Sequence, residues 1–232
     1  MLVAVGLLAV LASGCGLVGE EGSGVLVTRR IQVPAGIERL EIGDAFRATI
    51  RVGTAAPSGR ITMDDNLLDR LHVEVDGDTL AIDIEGSVRS ATLRADIGVI
   101  RLRQVDVSGA TCAAVDGPVT DDLRVGASGA SEVEIGSVEL DELFLDVSGA
   151  SRVSIDGTVG DIRADVSGAS NIALFGLEAD EAHVDVSGAS EAELTVSDRL
   201  EAEASGASSV RYRGEPDRVI SDESGASSVE PA

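Results

Sequence analysis

The chain has 232 residues, 44 per cent of them hydrophobic but only 2 per cent aromatic, and it contains no tryptophan. That composition allows one elongated domain with an aliphatic core. The formal net charge of −23 and a pI near 4.2 argue against nucleic acid or an anionic bilayer surface as partner.

Met1 to Ala12 form an apolar run, followed by Ser13-Gly14-Cys15 and a polar turn at Glu20 and Glu21. This resembles a bacterial lipoprotein signal, which implies cleavage before Cys15 and acylation of its sulfur, tethering residues 15–24 and all that follows to a membrane. Ala12 stands where such signals more often have Leu, and no Lys or Arg precedes the run. An uncleaved anchor is the alternative, since Met1 to Val18 only just reaches spanning length. Gly19 to Gly24 reads as a flexible linker.

Residues 25–104 carry strand signals without a regular beat. Period-two runs occur at Val25–Val33, Ile37–Ile42, Phe46–Val52, Leu71–Val75 and Leu80–Ile84. Pro34-Ala35-Gly36 and Asp76-Gly77-Asp78 are turn sequences, and Asn66-Leu67-Leu68 opens a short helical turn. This part is expected to form a cap or irregular first coils of whatever follows.

From residue 105 onwards the segment Val147-Ser148-Gly149-Ala150-Ser151 sets the pattern. Its opening serine recurs as Ser108, Ser128, Ser148, Ser167, Ser187, Ser205 and Ser224, in steps of 18 to 20 residues. A step near twenty marks a solenoid. Before each serine the apolar residues alternate, as Leu143, Leu145 and Val147 do, and after it they resume, as Val153 and Ile155 do. Each unit therefore reads as strand, SGAS corner, strand and glycine turn, with Gly117, Gly136, Gly157, Gly176 and Gly214 ending the second strand. One unit buries too little apolar surface to offset its ordering entropy. Stacked units pair their strands and pack like residues in columns, so the expected fold is all-β, a parallel β-helix. The small corner residues allow a tight turn and let serine hydroxyls bond along the stack. In the last unit Val219, Ser221 and Glu223 replace the inward aliphatics, as a terminal coil facing water requires.

The leader, the segment Asp64-Asp65-Asn66-Leu67-Leu68 with Leu80-Ala81-Ile82, and the repeated V-S-G-A-S together resemble the auto-transporter adhesin head GIN domain family of bacterial envelope proteins. The resemblance spans roughly Thr28 to Val229. It implies a right-handed parallel β-helix in the periplasm or at the cell surface, and it assigns no functional residues.

Two outward columns carry the candidate chemistry. Two residues before the serines lie Asp106, Gly126, Asp146, Asp165, Asp185, Glu203 and Asp222, a ladder of carboxylates. Unit charges at that spacing repel by about 0.8 kcal/mol even in water. Asp146, Asp165 and Asp185 are the candidate Ca²⁺ ligands, set against a solvated acidic face, because no dedicated loop supplies further oxygens. Four residues before the serines lie Gln104, Arg124, Phe144, Arg163, His183 and Glu201. Arg163, Asp165, His183 and Asp185 thus fall on neighbouring coils, the kind of cluster a polysaccharide-cleaving β-helix uses. The acidic column runs through nearly every unit, however, which marks it as a trait of the repeat. Sugar-gripping aromatics are limited to Phe46, Phe144, Phe175 and Tyr212. Cys112 is expected as a free thiol, His72 and His183 are too far apart for zinc, and nucleophile-elbow and phosphate-loop motifs are lacking. The reading is a non-enzymatic, membrane-anchored envelope lipoprotein without a required cofactor. Its expected partner is a surface polysaccharide or an envelope protein. The alternative is an envelope scaffold.

Overall fold

The computed structural model describes residues 19–232, so the apolar leader and Cys15 lie outside the described residues. Strands make up most of the described chain, with a single short 3-10 helix among the described residues. The first part contains β1 (Glu20–Glu21), β2 (Leu26–Ile31), β3 (Arg39–Ile42), β4 (Arg47–Arg51) and β5 (Ser58–Asp64). A 3-10 helix at Asp65–Arg70 leads to β6 (Leu71–Asp76), β7 (Thr79–Ile84), β8 (Val88–Arg89) and β9 (Leu93–Gly98). The repeats supply β10 (Gln104–Val107), β11 (Cys112–Asp116), β12 (Leu123–Ala127), β13 (Glu132–Val147), β14 (Arg152–Val166) and β15 (Asn171–Val186). The last are β16 (Glu191–Ala204), β17 (Ser209–Arg213), β18 (Arg218–Glu223) and β19 (Ser228–Pro231).

The repeats stack as a parallel β-solenoid. The strand before each SGAS corner pairs with its counterparts in the coils above and below, as Leu123 with Leu143 and Leu143 with Ile162. The strand after the corner does the same, as Val133 with Val153 and Val153 with Ile172. These two ladders form a first and a second side, whose inward residues share one buried cluster from Ile37 to Val210. A chain beginning at Gly16 therefore keeps every residue of that core.

The corner between the two sides is set by backbone geometry. Gly129, Gly149, Gly168, Gly188 and Gly206 all have φ between 78° and 81°, a left-handed conformation that a Cβ penalises. A Cβ at Gly149 would also run into the carbonyl oxygen of Gly129. That oxygen accepts the Ala150 N–H at 2.7 Å, and the same bond recurs from Ala169 to Gly149. The closing serine of the motif is buried at Ser131, Ser151, Ser170, Ser190 and Ser208. Its hydroxyl serves its own corner and the neighbouring coil: Ser131 Oγ donates to Ser128 O at 2.7 Å, and Ser208 Oγ to Val186 O at 2.9 Å.

The unit differs in one respect from strand, corner, strand and glycine turn. Strands β13 to β16 continue without interruption through the second side and around a bend into the next first side. At the bend a short third ladder forms, with Val138 opposite Gly157, Leu140 opposite Val159 and Val159 opposite Ala179. Only one or two residues per coil point inward there, too few for a visible period of two. Register shifts at this bend absorb the varying repeat length.

In the first part, stacking order departs from chain order. Strand β3 lies between β7 and β10, and β4 lies between β9 and β11, all parallel. Residues 52–103 thus leave the coil of β3 and β4, build the layer on its outer side, and return to its inner side as β10. Beyond that layer the pairing turns antiparallel: β6 on β7, β5 on β9 and β2 on β5. The corner of the β3–β4 coil is Gly43-Asp44-Ala45-Phe46, in register with Ser108-Gly109-Ala110-Thr111. Asp44 takes the left-handed position, with φ 64°, and its carboxylate accepts the Ile84 N–H at 2.7 Å. Phe46 fills the space that a small Thr or Ser occupies in later coils. At the opposite end every residue of β18 is exposed, in keeping with its polar substitutions.

Candidate functional site

The pleat places the residues of the two outward columns. Because inward Val105, Val125, Leu145 and Ala164 stack, the intervening residues stack too: Asp106, Gly126, Asp146, Asp165, Asp185, Glu203 and Asp222 stand in one register. The ladder extends through Glu41 of β3, opposite Asp106. Asp146, Asp165 and Asp185 are adjacent members. Among the described residues no group of three or more His, Cys, Asp or Glu side chains is arranged to hold a metal ion.

Gly126 breaks the ladder. The Asp106 carboxylate occupies the place its side chain would take and is held there by Gln104 Nε2 at 2.6 Å. The gap opens a cleft of about 650 Å³ between Glu41, Asp106, Arg124, Asp146 and the corner serines Ser108 and Ser128. Beside it the second column carries unlike residues. The Arg124 guanidinium lies 4.8 Å and that of Arg163 5.4 Å from the centre of the Phe144 ring, one from each neighbouring coil. Each such contact is worth about 0.5–1 kcal/mol at an exposed site. Phe46 is buried and Tyr212 packs on the core, which leaves Phe144 and Phe175 outward. Arg213 covers Phe175 at 3.8 Å.

Farther along the same side, Arg163 pairs across the coil with His183 and Asp165 with Asp185. The four residues are brought together in register, but Arg163 and His183 turn to carboxylates other than Asp165 and Asp185. Arg163 forms an ion pair with Glu142 at 3.4 Å and His183 Nδ1 lies 3.4 Å from Glu201. Arg199 donates a hydrogen bond to Glu201. That bond, opposed by desolvation and aided by the charges of Arg199 and His183, holds the Glu201 carboxyl below the usual range. His72 belongs to β6, where it meets Asp83 at 3.1 Å. Cys112 is free and half-buried, in register with Glu132.

This solenoid can be compared with known proteins. The family described as putative auto-transporter adhesin, head GIN domain, matches residues 37–216. The chain belongs to that family. The head GIN domain match begins at Ile37, the first residue of the buried core, and stops just before β18. A solved structure of a putative adhesin from Bacteroides fragilis has the same fold, with a TM-score of 0.86 at 20% identity over 92% of this chain and 100% of that one. A putative lipid binding protein from Parabacteroides distasonis follows at TM-score 0.73 and 21% identity, over 91% and 98%. A putative adhesin from Parabacteroides merdae has TM-score 0.69 at 20% identity, over 91% and 98%. At these identities the likeness is one of fold. No curated protein matches the sequence significantly. Membership of the head GIN domain family points to the cell surface or envelope.

Sequence reasoning missed two parts of this region. The Gly43-Asp44-Ala45-Phe46 corner lacks the serines that mark the others, and its signal is an Asp after Gly, a pair that tolerates the left-handed turn. The Gly126 gap was visible in the column, but its consequence depends on where Asp106 turns.

Proposed function

We propose that the chain is a non-enzymatic binding module of the bacterial envelope, tethered through an acylated Cys15, and that it meets its partner along the first side at the Gly126 cleft. The observation that carries this reading is the column of unlike residues beside the cleft: Gln104, Arg124, Phe144 and Arg163 present amide, cation and ring in succession. A scaffold has no need to vary an outward column, whereas a recognition surface does. Carboxylates, serine hydroxyls and a guanidinium around one cleft supply the donors and acceptors that a hydroxyl-rich partner such as envelope polysaccharide would use. His183 and Arg199 neutralise Glu201, which is a structural task.

The test is binding of a Gly16–Ala232 fragment to intact cells and purified envelope polysaccharide at physiological salt. Saturable binding that is lost in Gly126→Asp, which refills the ladder, and in Arg124→Glu is the expected result. Binding indifferent to both changes would place recognition elsewhere, and no binding above a charge-matched control would leave the scaffold reading. Recovery of the full chain in the membrane fraction, with Cys15→Ala recovered in the soluble one, is the corresponding expectation for the anchor.

A further inference from the structure

A second surface carries the opposite charge to the chain as a whole. Eleven of the eighteen arginines precede Gln104 along with fourteen acidic residues, whereas seven arginines and twenty-seven acidic residues follow. The stacking order gathers five of those early arginines on the outward face of the second side. Arg30 of β2 lies directly opposite Arg60 of β5, and Arg94 of β9 directly opposite Arg47 of β4. Arg51 is on β4 as well, and all five are exposed. Their outward direction follows from the pleat, because the alternate residues Ile61, Ala95, Ala48 and Ile50 are buried.

Like charges directly opposite one another on neighbouring strands are destabilising. Here two such pairs lie on four successive strands about 4.8 Å apart, offset by two residues where β5 meets β9, in a chain with acidic residues to spare. Two carboxylates share the face, Asp96 directly opposite Arg60 and Asp116 directly opposite Arg51; Asp96 meets Arg51 at 3.6 Å, and among the described residues no carboxylate forms an ion pair with Arg30, Arg47, Arg60 or Arg94. Between Arg30, Arg51 and Arg60 the surface is concave, a cleft of about 400 Å³ that also takes in Ser58 and Asp96.

We propose that this face binds an anionic polysaccharide, with carboxylate or phosphate groups seated between Arg30, Arg51 and Arg60 and the polymer running on past Arg94 and Arg47. Guanidinium groups suit planar, bidentate recognition of both anions. A flexible polymer fits better than an anionic bilayer for a reason visible on the same face. Glu132 and Glu134 lie next along the stack, opposite Cys112 and Ala114 of β11, so a flat anionic plane would meet them as well. A strand of polymer can stay within one screening length of the arginines, about 8 Å at physiological salt. This site is separate from the Gly126 cleft and stands or falls apart from it.

The test uses the Gly16–Ala232 fragment with immobilised polygalacturonate for carboxylates and phosphomannan for phosphates. Neutral dextran is the control and phosphatidylglycerol vesicles are the membrane arm. Binding to at least one charged polymer is expected to weaken as NaCl is raised from about 50 to about 300 mM. Arg30→Glu/Arg94→Glu turns both like pairs into opposite pairs, so it should melt no lower than the parent. It should also bind at least about tenfold more weakly, while Arg218→Glu, exposed on β18 at the far end of the first side, changes polymer affinity less than about twofold. Which polymer binds identifies the anion. The proposal is overturned by no binding to either polymer, by equal binding to dextran, by affinity unchanged in the double variant, or by binding to the vesicles alone.

Discussion

Gly149 shows how little freedom a single residue has in this stack. Its φ is 79° and the Gly129 carbonyl leaves no room for a side chain, so Gly149→Val is expected to lower unfolding free energy by about 2 kcal/mol or more in urea titration. An unchanged midpoint would mean that the corner can relax. Asp64 is the polar counterpart. Its buried carboxylate accepts the Gly24 and Thr92 N–H groups, each at 2.7 Å, and Asp64→Ala is expected to cost about 2–3 kcal/mol by stranding them. The Asp64-Asp65-Asn66-Leu67-Leu68 segment was legible as a landmark; the role of Asp64 was not, because both partners lie far away in sequence. Glu201 gives a pH-dependent case. Its folded pKa lies below the unfolded one, so the Arg199–Glu201 contribution is complete above the unfolded value and fades as pH falls through the folded value. An NMR titration should place the Glu201 midpoint lower in the parent than in Arg199→Ala; equal midpoints would remove Arg199 as the cause.

Among elements, interior and terminal coils differ. Leu143 is fully buried between Leu123 and Ile162, whereas Val219, in the equivalent column of the last coil, is 41% exposed. Leu143→Ala is expected to cost about 2–5 kcal/mol and Val219→Ala less than about 1 kcal/mol. Similar losses would mean that the last coil is covered in solution. The period of two made β2, β3, β4, β6 and β7 readable, yet β5 and β9 escaped notice. Leu93-Arg94-Ala95-Asp96-Ile97 alternates as well as Ile162-Arg163-Ala164-Asp165-Val166 does. The first lies on the second side of the solenoid and the second on the first side, because alternation specifies a strand and its buried face but not the neighbours it pairs with.

For the whole molecule the charge gradient dominates. The carboxylate ladder stands in one register on a chain of net charge −23, so raising NaCl at constant pH is expected to raise Tm by screening self-repulsion. CaCl₂ at equal ionic strength should give the same shift; a surplus would make Asp146, Asp165 and Asp185 a cation site. The summed charge pointed away from nucleic acid and anionic bilayers and concealed a basic face, because it averages over surfaces that the fold separates. The sequence by itself determined the repeat, the inward and outward member of every pair within it, the glycine at each corner and the polar last coil. Each of these follows from steric and periodic rules acting within about twenty residues. Only the tertiary structure decided that residues 52–103 build the layer outside β3 and β4, that a third ladder closes each coil, and that Arg30, Arg60, Arg94 and Arg47 share one face. Those features depend on which distant strand edges meet once the chain has closed on itself, and no local period encodes that choice.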